Sequence, residues 1–251
     1  PAGSLNFVCG RFTSTSSVED LVAAFDVDVV RTEPLPFRWN VAPTQQIYAV
    51  ATRRTPGEGE GKGIRALGTF RWGLVPSWAK DLASGAKMIN ARAEGIAERP
   101  AFRQALVKRR CVIPVDAFYE WQARPGQKAK LPWAIRRTDG RPMAMAGLWE
   151  VWWDREAPGG TDPVRTCTIV TTRANDALSD IHQRMPVVLG SDAVNRWLDP
   201  TLQDRAELQA LLAPAASDLL AAHPVSTLVN KVSVDGPELL EPLTEPPGRP
   251  A

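Results

Sequence analysis

Short runs of alternating bulk recur along this chain, and few helical segments separate them. Strand-like runs fall at 47–54, 64–75, 111–121, 132–137, 143–153 and 165–172, with a last one at 224–229. Gly, Pro and Asp turns set most of them apart. Parallel neighbours need a crossover of a dozen or more residues, usually a helix. Helical spacing is confined to 13–25 (Val18, Leu21, Val22, Phe25, with Ser16 and Ser17 as caps), Glu98 to Arg109, and short stretches at 174–181, 191–198 and 203–213. Strands therefore outnumber crossovers. The pattern predicts an α+β fold: a single domain with a mainly antiparallel, barrel-like sheet and peripheral helices. Residues 31–46 carry three prolines and read as an extended loop, and Thr55–Gly63 reads as a hairpin tip.

At 251 residues and 44% hydrophobic content the chain can bury a sizeable core. No apolar run approaches the ~20 residues that span a bilayer, and no secretory signal is expected at the start, so the reading is soluble and cytoplasmic. A formal net charge of +2 provides no general field for polyanions, yet 23 of the 30 basic residues are Arg. Arg suits bidentate phosphate contacts and stacking, so a nucleic-acid surface would be a local patch. A GC-rich coding sequence would produce the same bias. Cys9, Cys111 and Cys167 are too few and too scattered for a disulfide framework or a zinc site. Cys111 and Cys167 sit in apolar runs and read as core. Cys9, followed by Gly10 and Arg11, reads as an exposed, reactive thiol. There is no P-loop, GxGxxG, HExxH or GxSxG pattern, and no cofactor or metal is expected.

Individual residues leave alternatives open. Glu120 lies in Phe118-Tyr119-Glu120-Trp121. Among aromatics a carboxylate pKa rises, as a general acid/base requires. Strand alternation, however, sets it opposite Tyr119 and Trp121 and favours a solvent-facing acid. His182, one of two histidines, precedes Gln183-Arg184-Met185-Pro186 and reads as structural or as a proton carrier. Asn90 is either a turn residue or a placed hydrogen-bonder; Arg92 would share its face and suit a sugar-phosphate. Trp72 and Trp78 flank Gly-Leu-Val-Pro-Ser, and an exposed Trp beside Arg is how unstacked bases are held.

Taken in order, eight segments resemble the SRAP (SOS-response-associated peptidase) family from Cys9 to about Leu243. They are Cys9-Gly-Arg-Phe, Trp39-Asn-Val-Ala-Pro, Trp72-Gly-Leu-Val-Pro, Ile89-Asn-Ala-Arg, Phe118-Tyr-Glu-Trp, Ile169-Val-Thr-Thr, Ile181-His-Gln-Arg-Met-Pro and His223-Pro-Val-Ser. The resemblance implies a domain over 9–245, a tail over 246–251, and shielding of abasic sites in single-stranded DNA. The amine and thiol of an N-terminal cysteine would both react with the ring-opened deoxyribose, giving a Schiff base and then a thiazolidine. Carried over, Cys9 is the double nucleophile, Asn90 orients the sugar, Glu120 shuttles protons and His182 assists ring opening and reversal. Arg11, Arg92 and Arg184 would hold phosphates; Asn40, Pro43, Trp72 and Trp78 would line the strand's path or shape the pocket. The implied partner is single-stranded DNA with abasic sites, with no membrane, a monomer and association with the bacterial nucleoid.

One departure bears on this chemistry. Eight residues, Pro1 to Val8, precede Cys9, and an amide nitrogen is not a nucleophile. The segment reads as a leader, a cloning remnant or an upstream start, as a piece removed autocatalytically, or as the mark of a chain that does not crosslink. The rival readings are a thiol (auto)peptidase using Cys9 with Glu120 and His182, and a non-covalent reader of modified or single-stranded DNA.

Overall fold

The computed structural model describes residues 9–53, 63–154 and 162–243. The segment 1–8, read as a leader or remnant, most of the expected hairpin tip at 55–63 and the expected tail at 246–251 lie outside them. The described residues form β1 (Arg11–Ser14), β2 (Val29–Val30), β3 (Arg38–Val41), β4 (Gln46–Arg53), β5 (Ile64–Trp72), β6 (Asn90–Arg92), β7 (Arg110–Val115), β8 (Ala117–Gln122), β9 (Leu131–Arg137), β10 (Met143–Trp152), β11 (Val164–Arg173), β12 (Arg184–Pro186), β13 (Val188–Leu189) and β14 (Leu220–Pro224). The α-helices are α1 (Val18–Phe25), α2 (Arg103–Lys108), α3 (Ser191–Leu198) and α4 (Arg205–Ala210).

Antiparallel pairing orders the larger sheet β11-β10-β7-β4-β5, and a short parallel contact of Thr166 and Cys167 with Arg71 and Trp72 closes that ring. The interior holds Ile47, Ala49, Phe70, Cys111, Ile113, Met145, Cys167 and Ile169. The outer face carries Tyr48, Val50, Leu67, Val112, Ala146 and Leu148 under the helices. Both faces are apolar, so these strands do not alternate apolar with polar as a half-solvated sheet would. A second sheet, β14-β9-β8-β1-β3, adds Cys9, Phe12, Phe118 and Ile135 to the first cluster. Its other face is covered by residues 225–240, through Val225, Val229 and Leu239 against Tyr119 and Ala134.

The two sheets are joined where the sequence pattern reads one strand. The run 111–121 breaks at Asp116, and β7 and β8 belong to different sheets. Asp116 accepts from the Thr15 amide at 2.5 Å, the Ser16 amide at 3.0 Å and the Ser16 hydroxyl. The expected helix from 13 starts later for the same reason. Thr13 and Ser14 belong to β1, Thr13 Oγ1 accepts from the Ala117 amide at 2.8 Å, and Ser17 opens α1 with a capping box to Asp20.

Two further expectations change. Residues 174–181 form turns instead of a helix: Asn175 Oδ1 takes the Leu178 amide at 3.2 Å, while Nδ2 is tied to Ala215 O at 2.9 Å. The final strand is Leu220–Pro224, and Ser226 then caps a 3-10 turn over Thr227–Asn230.

Candidate functional site

Cys9 sits just ahead of β1, which pairs with β8 through Arg11–Tyr119 and Phe12–Phe118. Its backbone is left-handed, φ 48°, a region non-glycine residues rarely adopt. Its N–H donates to Glu120 Oε1 at 2.6 Å. Contrary to the exposed thiol expected, Cys9 is 0% exposed and packs in the cluster of Phe12, Trp72 and Ile89. Burial, and secondarily the Glu120 charge, push its thiol well above the ordinary range.

Glu120 is 4% exposed, which overturns the solvent-facing reading. Alternation does set it opposite Tyr119 and Trp121. Those two face the cover formed by residues 225–240, however, while Phe118 on the Glu120 face points between the sheets. Both faces of β8 are buried, so the aromatic face does not mark the other as wet. Desolvation pushes the Glu120 carboxyl up to about 8, opposed by the Cys9 and Trp121 amides and by the Lys130 charge.

His182 follows a turn bolted to β8. Gln122, two residues beyond Glu120, donates from Nε2 to Asp180 O at 2.9 Å and accepts from Trp133 Nε1 at 3.1 Å. The neighbouring Ile181 and Met185 pack in the same cluster as Cys9. The Arg184 amide donates to His182 Nδ1 at 3.1 Å. The Arg184 carbonyl lies at 3.2 Å from the same Nδ1. Burial chiefly lowers the His182 pKa; the hydrogen bond to the Arg184 backbone opposes this, and the charges of Lys130 and Arg184 lower it further. Lys130 is exposed and acts on both Glu120 and His182.

Asn90 opens β6, parallel to β11 and opposite Ile169, and the Ile89 carbonyl before it accepts from Trp72 Nε1 at 3.0 Å. Ala91 packs in the outer cluster, so alternation sends Asn90 and Arg92 to the opposite face. The Asn90 Oδ1 is screened from solvent. β12 pairs with the same end of β11, so the Asn90 and His182–Arg184 segments flank one strand.

The remaining residues separate into bound and free. Arg184 Nη2 reaches Glu94 at 2.9 Å and Thr171 O at 2.8 Å, with Arg92 adding its charge near Glu94. Arg11 Nη1 donates to Asn40 Oδ1 at 2.8 Å and Val229 O at 2.9 Å, and burial lowers its pKa. Buried Asn40 also donates to the Lys231 and Val234 carbonyls, so this pair pins the cover over the second sheet. Trp72 is 0% exposed and tilted on Phe12 at 4.9 Å, which makes it floor rather than stacking face. Pro43 is half-buried, Arg92 exposed, and Trp78, at 58% exposure, offers an open ring. Gln122, Lys130 and Trp133 were not singled out from the sequence. The signal for Gln122 was its position two residues past Glu120 on the same strand face.

Among the described residues no group of His, Cys, Asp and Glu could hold a metal, and no helix is long and apolar enough to cross a membrane. Residues 8–232 match the family model described as SOS response associated peptidase (SRAP). The abasic site processing protein YoqW of Bacillus subtilis (strain 168) is 43% identical over 93% of this chain and 99% of its own. The abasic site processing protein HMCES of Gallus gallus is 35% identical over 82% of this chain and 66% of its own. Among solved structures, a Bacteroides thetaiotaomicron protein superposes with a TM-score of 0.75 at 23% identity, over 94% of this chain and all of that one.

Proposed function

The chain belongs to the SOS response associated peptidase family, and from that premise we propose that it captures abasic sites in single-stranded DNA through a covalent bond at Cys9. The reading rests on one observation: the Cys9 nitrogen lies 2.6 Å from a carboxyl whose pKa is held near 8. When Cys9 is the first residue, that nitrogen is an amine. That raised pKa belongs to the neutral amide; an ammonium at the same nitrogen stabilises the carboxylate and lowers it, so Glu120 is available as a base and, once protonated, as an acid. Glu120 takes the proton that frees the amine. The amine attacks the aldehyde carbon of the opened deoxyribose, and Glu120 returns the proton as the hydroxyl leaves as water. The Cys9 sulfur then adds to the same carbon, its proton passing to nitrogen. One amine, one thiol and one aldehyde give one thiazolidine and one water.

Asn90 orients the sugar. His182 serves ring opening and reversal. Arg92 and Trp78 meet the strand from exposed positions, with Pro43 at the side. Arg11, Asn40, Arg184 and Trp72 act from beneath, by fixing the walls that hold these groups. The partner is single-stranded DNA carrying abasic sites, the chain acts as a monomer, and the place of action is the cytoplasm at the nucleoid.

A thiol peptidase would need a thiolate, whereas burial and the Glu120 charge raise the Cys9 thiol. A non-covalent reader would not need Cys9 at all. Cys9→Ala separates these readings. Loss of the denaturation-resistant adduct with unchanged affinity for abasic single strands supports covalent capture. Unchanged affinity with no adduct from the parent chain, once residues 1–8 are removed, would leave the reader.

A further inference from the structure

The closed ring of β5, β4, β7, β10 and β11 has two ends. One meets the second sheet and the Cys9 centre. The other opens as a cavity of about 200 Å³. Its space comes from small residues on facing strands: Ala51 lies opposite Ala66, and Gly68 follows on the same face. An added Cβ at Gly68 would meet only Phe70, at 3.7 Å. Phe70 and Trp149 form the inner wall, edge to face at 5.8 Å. Around the rim stand Arg31, Arg53 and Arg165, all exposed. Among the described residues none of these three guanidinium groups has an ion pair or hydrogen bond, unlike nearby Arg65, which bonds Phe25 O and Asn195.

An apolar slot with an aromatic wall inside three uncommitted guanidinium groups matches one chemistry: a flat base carrying phosphates. Barrel mouths are also a recurrent place for such sites. We propose that this mouth is a second contact for single-stranded DNA, one unpaired base entering against Phe70 and Trp149 while flanking phosphates meet the arginines. The substrate class follows from the function proposed above, but the site does not depend on Cys9 chemistry. Arg165 lies four residues from Ile169, the β11 partner of Asn90, about 13 Å along the strand, and eight residues from Arg173, the partner of Arg184, about 25 Å. A long strand can therefore occupy both sites at once, and a dinucleotide cannot.

The test compares undamaged oligothymidylates of about 20 and about two nucleotides by fluorescence anisotropy. Two variants are made: Arg53→Glu with Arg165→Glu, and the uncharged Gly68→Val, which fills the slot. Each should weaken the long strand about tenfold and leave the short strand unchanged. The charge variant should also flatten the log K against log salt slope by about 1.4, two contacts' worth. Crosslinking of a dinucleotide carrying one abasic site, with residues 1–8 removed, should keep its rate in both. Equal affinity of the parent for long and short strands overturns the mouth site, even where crosslinking proceeds. So does weakening in the charge variant with none in Gly68→Val, which would be surface attraction without a base pocket. Failure of the parent to bind any single strand would count instead against the proposed function.

Discussion

Glu120→Gln should make the protein more stable and less active. The wild-type carboxyl goes from an ordinary 4.5 to about 8 on folding, chiefly by burial. An acid with a raised folded pKa binds more protons folded than unfolded. Its contribution is therefore complete below pH 4.5, declines as pH rises, and levels off above 8. The difference of pKa corresponds to about 5 kcal/mol across that window and about 3 kcal/mol by pH 7. Gln keeps an oxygen to accept the Cys9 amide and carries no titrating charge. Urea denaturation at pH 5, 7 and 8.5 should show the variant gaining little at pH 5 and about 3 kcal/mol at pH 7, with a Tm rise on the order of 10 °C. Crosslinking by chains starting at Cys9 should slow by roughly a hundredfold or more, the usual worth of a positioned acid/base. Parallel stability profiles for the two proteins from pH 5 to 8.5 would refute the buried-acid account.

Lys130→Gln removes a charge that lowers both the Glu120 and His182 pKa values, so the pH–rate profile of crosslinking should move to higher pH at both limbs; an unmoved profile would place Lys130 outside the site's field. Arg92→Ala should flatten the salt dependence of single-strand binding by about 0.7 in slope, one phosphate contact. Arg110 donates to the Leu106, Val107, Trp197, Asp199 and Leu202 carbonyls. Arg110→Lys, with fewer donors, should therefore cost about 2–4 kcal/mol in urea denaturation without changing crosslinking chemistry.

The barrel was legible because strand-length runs with few crossovers leave an antiparallel sheet as the main way to pair. The Asp116 break was not, because β7 and β8 keep one alternation through a residue whose role is to tie Thr15 and Ser16. Glu120 illustrates the same limit. Alternation tells which residues share a face, but not whether a distant segment covers it, and here residues 225–240 cover the Tyr119 side. Arg11 and Asn40 carry matching donor and acceptor groups, yet only the fold brings them to 2.8 Å across a sequence gap of 29. A Gly-Arg neighbour says nothing of the cluster with Phe12 and Trp72 that buries Cys9.

Removing Pro1–Val8 tests the central claim most directly. The chain as given and a chain beginning at Cys9 are each incubated with abasic single-stranded DNA, run on a denaturing gel and weighed intact. The chain beginning at Cys9 should form the adduct, with a mass equal to protein plus DNA less one water. The longer chain should form none until mass shows its first eight residues gone. Equal adduct from the longer chain with those residues still attached would contradict amine capture at Cys9.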